Sequence, residues 1–80
     1  MWIRTQNGEE LVDADRIKAI RRENGDVNIL AKLPRETVIL GTYGNIQAGH
    51  IMVDIWFVVS GGRKVVHKEF YVMPPRWEGK

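Results

Sequence analysis

The sequence predicts a single α+β domain, a twisted antiparallel sheet of about four or five short strands packed with one helix over residues 45–60 and a last, C-terminal strand. Two observations carry this expectation. Residues 2–42 alternate short β-branched or aromatic runs with Gly, Asn and Asp, which is the pattern of short strands joined by tight turns. Asn45 to Ser60 is an almost uninterrupted apolar run that opens on a polar cap candidate and closes on Gly61 and Gly62. That run is open to two readings, a helix or the first arm of a hairpin, and the second would make the domain all-β.

Taken in order, Trp2-Ile3-Arg4-Thr5 is the first strand. Asn7-Gly8 then forms a two-residue hairpin turn, since both residues accept positive φ, and Leu11-Val12 returns alongside. Arg16 to Glu23 places Ile17 and Ala19 on one face and Arg16, Lys18, Ile20 and Arg22 on the other; Asn24-Gly25 turns the chain into Val27, Ile29, Ala31 and Leu33, which alternate with period two. Pro34 lacks a backbone donor and ends that strand. Thr37 to Thr42 supplies another strand with Val38 and Leu40 on one face and Ile39 on the other, so the sheet is expected to be an antiparallel meander.

For the apolar run, the helical reading makes Asn45 the N-cap, puts Ala48, Ile51, Met52, Ile55 and Val59 on the i, i+3, i+4, i+7 rhythm, and ends the helix at Gly61. The strand reading pairs residues 51–59 with 64–72 as a hairpin closed at Gly61-Gly62, favoured by dense Val, Ile, Trp and Phe. Local rules divide evenly between them.

Size and composition bound the function. Eighty residues make one domain, with residues 74–80 a short tail after the paired prolines, and a chain this short gains from burying surface against another copy. The chain has no cysteine, which excludes disulfide staples and fits a cytoplasmic protein. Twelve Lys and Arg against ten Asp and Glu leave a net charge of +2, too small to mark nucleic-acid binding by itself. The first ten residues carry Arg4, Glu9 and Glu10 and no signal-peptide apolar stretch, and Ile51 to Val59, interrupted by Asp54, is too short to cross a bilayer.

Four segments taken together tip the balance toward the helix, with the hairpin kept as the alternative. Met1-Trp2-Ile3-Arg4-Thr5-Gln6, Leu11-Val12-Asp13-Ala14, Leu40-Gly41-Thr42-Tyr43 and Phe70-Tyr71-Val72-Met73-Pro74 stand in one order along most of the chain. In that order they resemble a family of small uncharacterised proteins of Gram-positive bacteria and their phages, with an opening "MWIRSQ" strand, an "LG-x-Y" strand end, a helix of the type "T-x-E-R-A-x-E-V-L-D-E-I" and a terminal "MP". The resemblance implies a helix capped by Asn45, with Gly49 as its small residue, Met52 and Val53 as its apolar pair, Asp54 as its acidic position and Trp56 as its last apolar position. It implies no catalytic residue. The chain departs from the pattern at Gln47, Ala48, Ile51 and Ile55, where charged residues are usual.

On such a helix Gly49, Met52, Val53 and Trp56 form the face that the resemblance puts on the sheet, while Ala48, Ile55 and Val59 widen it on one side and Ile46 and Phe57 on the other. Only Gln47, His50 and Asp54 remain as a polar strip. Burial between the sheet and the last strand accounts for part of the excess; a contiguous apolar remainder calls for a partner. Ile46, Val53, Phe57 and Val58 are therefore the candidate self-association residues.

Candidate chemistry is sparse. His50 and His67 fall in no metal-ligand spacing, Ser60 lacks a nucleophile-elbow context, and no Gly-rich phosphate loop precedes a helix, so no catalytic, metal or cofactor site is expected. Arg16, Lys18 and Arg22 share one strand face and could meet phosphates, which makes a weak nucleic-acid-binding accessory protein the alternative. The leading expectation is a cytoplasmic, non-catalytic interaction module. Its expected partner is a second copy, in a dimer or larger homo-oligomer, or another protein that the sequence does not name.

Overall fold

The computed structural model describes residues 2–60 and 70–77. Its elements run β1 (Trp2–Arg4), β2 (Leu11–Asp13), β3 (Arg16–Arg21), β4 (Val27–Lys32), β5 (Thr37–Tyr43), α1 (Asn45–Ser60) and β6 (Phe70–Val72). The fold is α+β, and the helix over residues 45–60 overturns the all-β alternative. Instead of one meander there are two three-stranded sheets, ordered β2-β1-β6 and β3-β4-β5. β6 runs parallel to β1, with Ile3 opposite Tyr71, so the last strand pairs within the chain. Parallel partners need a long crossover, which here includes the second sheet and α1. The hairpin expected at Gly61-Gly62 and the 65–69 part of the expected last strand lie outside the described residues.

Both Asn-Gly pairs make turns, by a different device from the two-residue loop expected. Thr5 N–H donates to the Glu10 carbonyl (3.0 Å) and Gly8 N–H to the Thr5 carbonyl (2.9 Å), which leaves a four-residue loop. Arg22 N–H donates to the Asp26 carbonyl (2.7 Å) and Gly25 N–H to the Arg22 carbonyl (3.0 Å) around a three-residue loop. In each loop only the glycine takes a positive φ, 77° at Gly8 and 93° at Gly25. Each asparagine keeps a negative φ and accepts through Oδ1 the N–H two residues on, Glu9 at 2.9 Å and Asp26 at 2.9 Å. A side-chain bond of this kind tightens the turn and removes the need for a left-handed asparagine.

A single core spans both sheets and the helix. Ile3 and Val12 enter from the first sheet, Val27, Ile29 and Ala31 from one face of β4, and Leu40 and Tyr43 from β5, with Ala48, Ile51 and Ile55 of α1 above them. A bulge opposite Ile29/Leu30 lets β5 turn both Leu40 and Gly41 inward. Gly41 is required there: a Cβ on it would stand 2.7 Å from Cε2 and Oη of Tyr43. The leucine-glycine-x-tyrosine sequence is thus a packing unit in which the tyrosine ring folds back over a bare backbone.

Gln6 joins the sheets. Its backbone N–H donates to the Leu40 carbonyl (2.8 Å), while its side-chain amide donates to the Thr42 carbonyl (3.3 Å) and accepts the Thr42 N–H (3.0 Å). The amide does what a paired strand would do and closes the outer edge of β5.

Candidate functional site

The helix begins one residue earlier in its hydrogen bonding than the sequence suggests. The Gly44 carbonyl accepts Ala48 N–H (2.9 Å), which makes Gly44 the cap in place of Asn45; the Asn45 Oδ1 instead accepts from Arg21 (3.0 Å). Facing the sheet are Gln47, Ala48, Ile51 and Ile55, with Met52 half-buried beside them. This is the i, i+3, i+4, i+7 rhythm, and it corrects the register implied by the resemblance, since Gly49, Val53 and Trp56 are exposed. The physical reason is that Ala48, Ile51 and Ile55 give the core an uncharged face that fits the sheet, while the one buried amide among them, Gln47, finds its partners in the tail backbone.

The opposite side of α1 is apolar as well. Ile46 is 71% exposed, Val53 54%, Trp56 63% and Phe57 41%. Ile46, His50, Val53 and Phe57 follow the alternating four-and-three spacing of a helix seam, with Gly49 and Trp56 on its flank. Trp56 and Phe57 meet edge to face at 5.4 Å. Of the four candidate self-association residues the structure thus brings Ile46, Val53 and Phe57 into one stripe. Val58 is turned about 100° off it and is half-buried.

The tail extends this surface. Met73 N–H donates to the Arg4 carbonyl (3.0 Å), and the Tyr43 hydroxyl to the Pro74 carbonyl (2.7 Å). The Gln47 amide donates to the Pro75 carbonyl (2.9 Å) and accepts Trp77 N–H (2.8 Å). Arg76 clasps both carboxylate oxygens of Asp26 at 3.0 and 2.7 Å. So held, Trp77 lies 57% exposed beside the helix start, with its ring 5.6 Å from that of His50. Ile46 and Trp77 flank an open groove of about 610 Å³, floored by Gly44 and Gln47. Residues 73–77 have left regular structure, as the paired prolines predict, yet they are docked on the domain, with Trp77 packed back beside the helix.

The electrostatics follow from these contacts. Burial, with Tyr71 nearby, pushes the Tyr43 phenol far above its ordinary value, so it stays a hydrogen-bond donor. The hydrogen bond from Arg76 chiefly holds the Asp26 carboxyl below the usual carboxylate range. Among the described residues no group of three or more His, Cys, Asp and Glu side chains converges; His67 lies outside them. Arg16, Lys18 and Arg22 are exposed on or next to β3, and Asp15 and Glu23 bracket them in the sequence.

Two residues of this surface escaped the sequence reading. By sequence Gln47 falls on the polar strip, yet it is 3% exposed, and Tyr43 falls at a strand end as an aromatic that could stack on bases, yet it is wholly buried. A lone amide in an apolar run, four residues after the Tyr43 that closes the Leu40-Gly41-x-Tyr43 unit, is the available signal. Comparison with protein-family models, curated proteins and solved structures gave no match. Among the described residues no helix is long and apolar enough to cross a membrane.

Proposed function

We propose that the protein is a non-catalytic interaction module of the cytoplasm that self-associates through the outer face of α1. The observation that carries this is the apolar stripe Ile46, Val53 and Phe57, flanked by Trp56 and Trp77 and lying opposite the face spent on the core. With a wholly covered aromatic accounting for roughly 150–250 Å², these exposures present on the order of 600 Å² per copy, close to the ~800 Å² per partner of a standard interface. A lone small domain rarely leaves so much contiguous apolar surface in water.

A second copy fits the stripe by symmetry. Two α1 helices packed antiparallel about a two-fold axis between His50 and Val53 set Ile46 of each against Phe57 of the other, and His50 against Val53. Such an isologous contact uses one patch twice. The order of the sequence motifs supports placing the chain with the small "MWIRSQ" proteins as part of the same proposal.

Light scattering coupled to size exclusion tests it. The expected result is a dimer that shifts toward monomer on dilution, and a monomer at all concentrations for Val53→Glu. Val53 is exposed, so the variant keeps its circular dichroism spectrum. A wild-type monomer at several hundred micromolar would sink the proposal.

A further inference from the structure

We propose that the outer edge of β3 takes an extended acidic segment of another protein as an added antiparallel strand, every second side chain of which enters the groove between β3 and α1. Among the described residues β3 pairs only with β4, in an unbroken register from Arg16↔Lys32 to Arg21↔Val27, and it contains neither Gly nor Pro. Among the described residues it is the one long edge left open. The β5 edge is closed by Gln6, and β2 and β6 are three residues each.

The ladder identifies the groups that point outward. Arg22 N–H donates to the Asp26 carbonyl, so that pair is a hydrogen-bonded one. Alternation then turns the N–H and C=O groups of Ile20, Lys18 and Arg16 toward β4, and those of Ile17, Ala19 and Arg21 toward solvent. The side chains of these last three residues lie on the helix side of the sheet. Beside them is a groove of about 250 Å³ lined by Ala19, Arg21, Val27, Ala48, Gly49 and Met52. The short side chain of Ala19 and the absence of one at Gly49 hold it open. An added strand stands about 4.8 Å beyond β3, which aligns its inward side chains with this groove.

Charge selects the occupant. On the outer face, Arg16 and Lys18 make no side-chain bond among the described residues, and Arg22 continues the row. Antiparallel pairing of β3 with its own copy would set these cations against each other, which is destabilising. Edge cations often serve only to deter pairing, most effectively where a charge points inward; here two of the three inward positions, Ile17 and Ala19, are apolar, and the third, Arg21, at the end of the strand, donates to Asn45 Oδ1 (3.0 Å). A strand with acidic residues facing out and small apolar residues facing in complements both faces. This surface does not depend on the self-association face.

The probe is a fluorescein-labelled eight-residue peptide alternating glutamate and valine, titrated into the full chain by fluorescence anisotropy, with amide NMR shifts recorded in parallel. Binding at low salt is expected, with the largest shifts at Ile17, Ala19 and Arg21. N-methylation of the valine amides removes the donors facing β3 and should abolish it. Ala19→Pro deletes one outward donor without touching the β4 ladder, and should weaken binding about tenfold. Lys18→Glu, a surface change that leaves the fold intact, should weaken it as well. Three results overturn the proposal: no binding at millimolar peptide, equal binding of the N-methylated peptide, or displacement of the peptide from Lys18 by an oligothymidylate that binds more tightly.

Discussion

Gly41→Ala sets two physical effects of opposite sign against each other. By chain entropy alone, replacing a strand glycine with alanine should stabilise the fold by about 0.4–1 kcal/mol. In this structure the new Cβ would sit 2.7 Å from Cε2 and from Oη of Tyr43 and 2.9 Å from its Cζ, where carbons normally touch at about 3.5–4.0 Å. Tyr43 is wholly buried and its hydroxyl donates to Pro74, so the ring cannot withdraw without vacating the core and releasing the tail. Overpacking of this kind costs about 1–3 kcal/mol, and the lost hydrogen bond adds about 1 kcal/mol. The sum, about 2–4 kcal/mol, is a large part of the roughly 4–12 kcal/mol expected for a domain of this length. Urea denaturation followed by far-ultraviolet circular dichroism reads it directly, and the melting temperature should fall by roughly 8–32 °C. In a Tyr43→Leu background the ring is gone and the glycine substitution should cost under about 0.5 kcal/mol. A Gly41→Ala protein as stable as wild type, or an equal penalty in both backgrounds, would refute the steric account.

The tail offers two further tests. Gln47→Ala leaves the Pro75 carbonyl and Trp77 N–H without their partner, which should cost about 1–3 kcal/mol and speed trypsin cleavage after Arg76; unchanged cleavage would show that the amide does not hold the tail. Because Arg76 lowers the Asp26 carboxyl from its ordinary 3.8, the folded chain binds that proton less readily than the unfolded chain. The contact therefore stabilises above that ordinary value, and its contribution is lost as pH falls through the lowered one. Thermal melts of wild type and Asp26→Asn should differ at neutral pH and converge as the pH falls through the lowered value; a constant difference from neutral pH into acid would count against the pairing.

Local periodicity and turn chemistry made most of the elements legible. Val27, Ile29 and Ala31 alternate in the sequence and line one face of β4 in the fold, and the Asn-Gly pairs mark both loops. The candidate stripe was legible in part: Ile46, Val53 and Phe57 share one face by helical spacing, and that face is exposed. Which face meets the sheet was not, because α1 is apolar on both sides, and only the shape of the sheet beneath it selects Ala48, Ile51 and Ile55.

What the sequence by itself determined, then, is the order of the elements and the strand character of residues 2–43, since these rest on backbone preferences acting over a few residues; such preferences divided residues 45–60 between helix and strand. Tertiary structure alone decided that β6 lies parallel to β1, that among the described residues Gln6 closes one sheet edge while β3 keeps another open, and that Gln47 and Tyr43 bind the tail. Each of these joins groups more than twenty-five residues apart or depends on the absence of a neighbour. Short-range pattern carries no information about such relations, because any edge strand or amide could satisfy its hydrogen bonds with water until the folded chain brings a particular partner within reach.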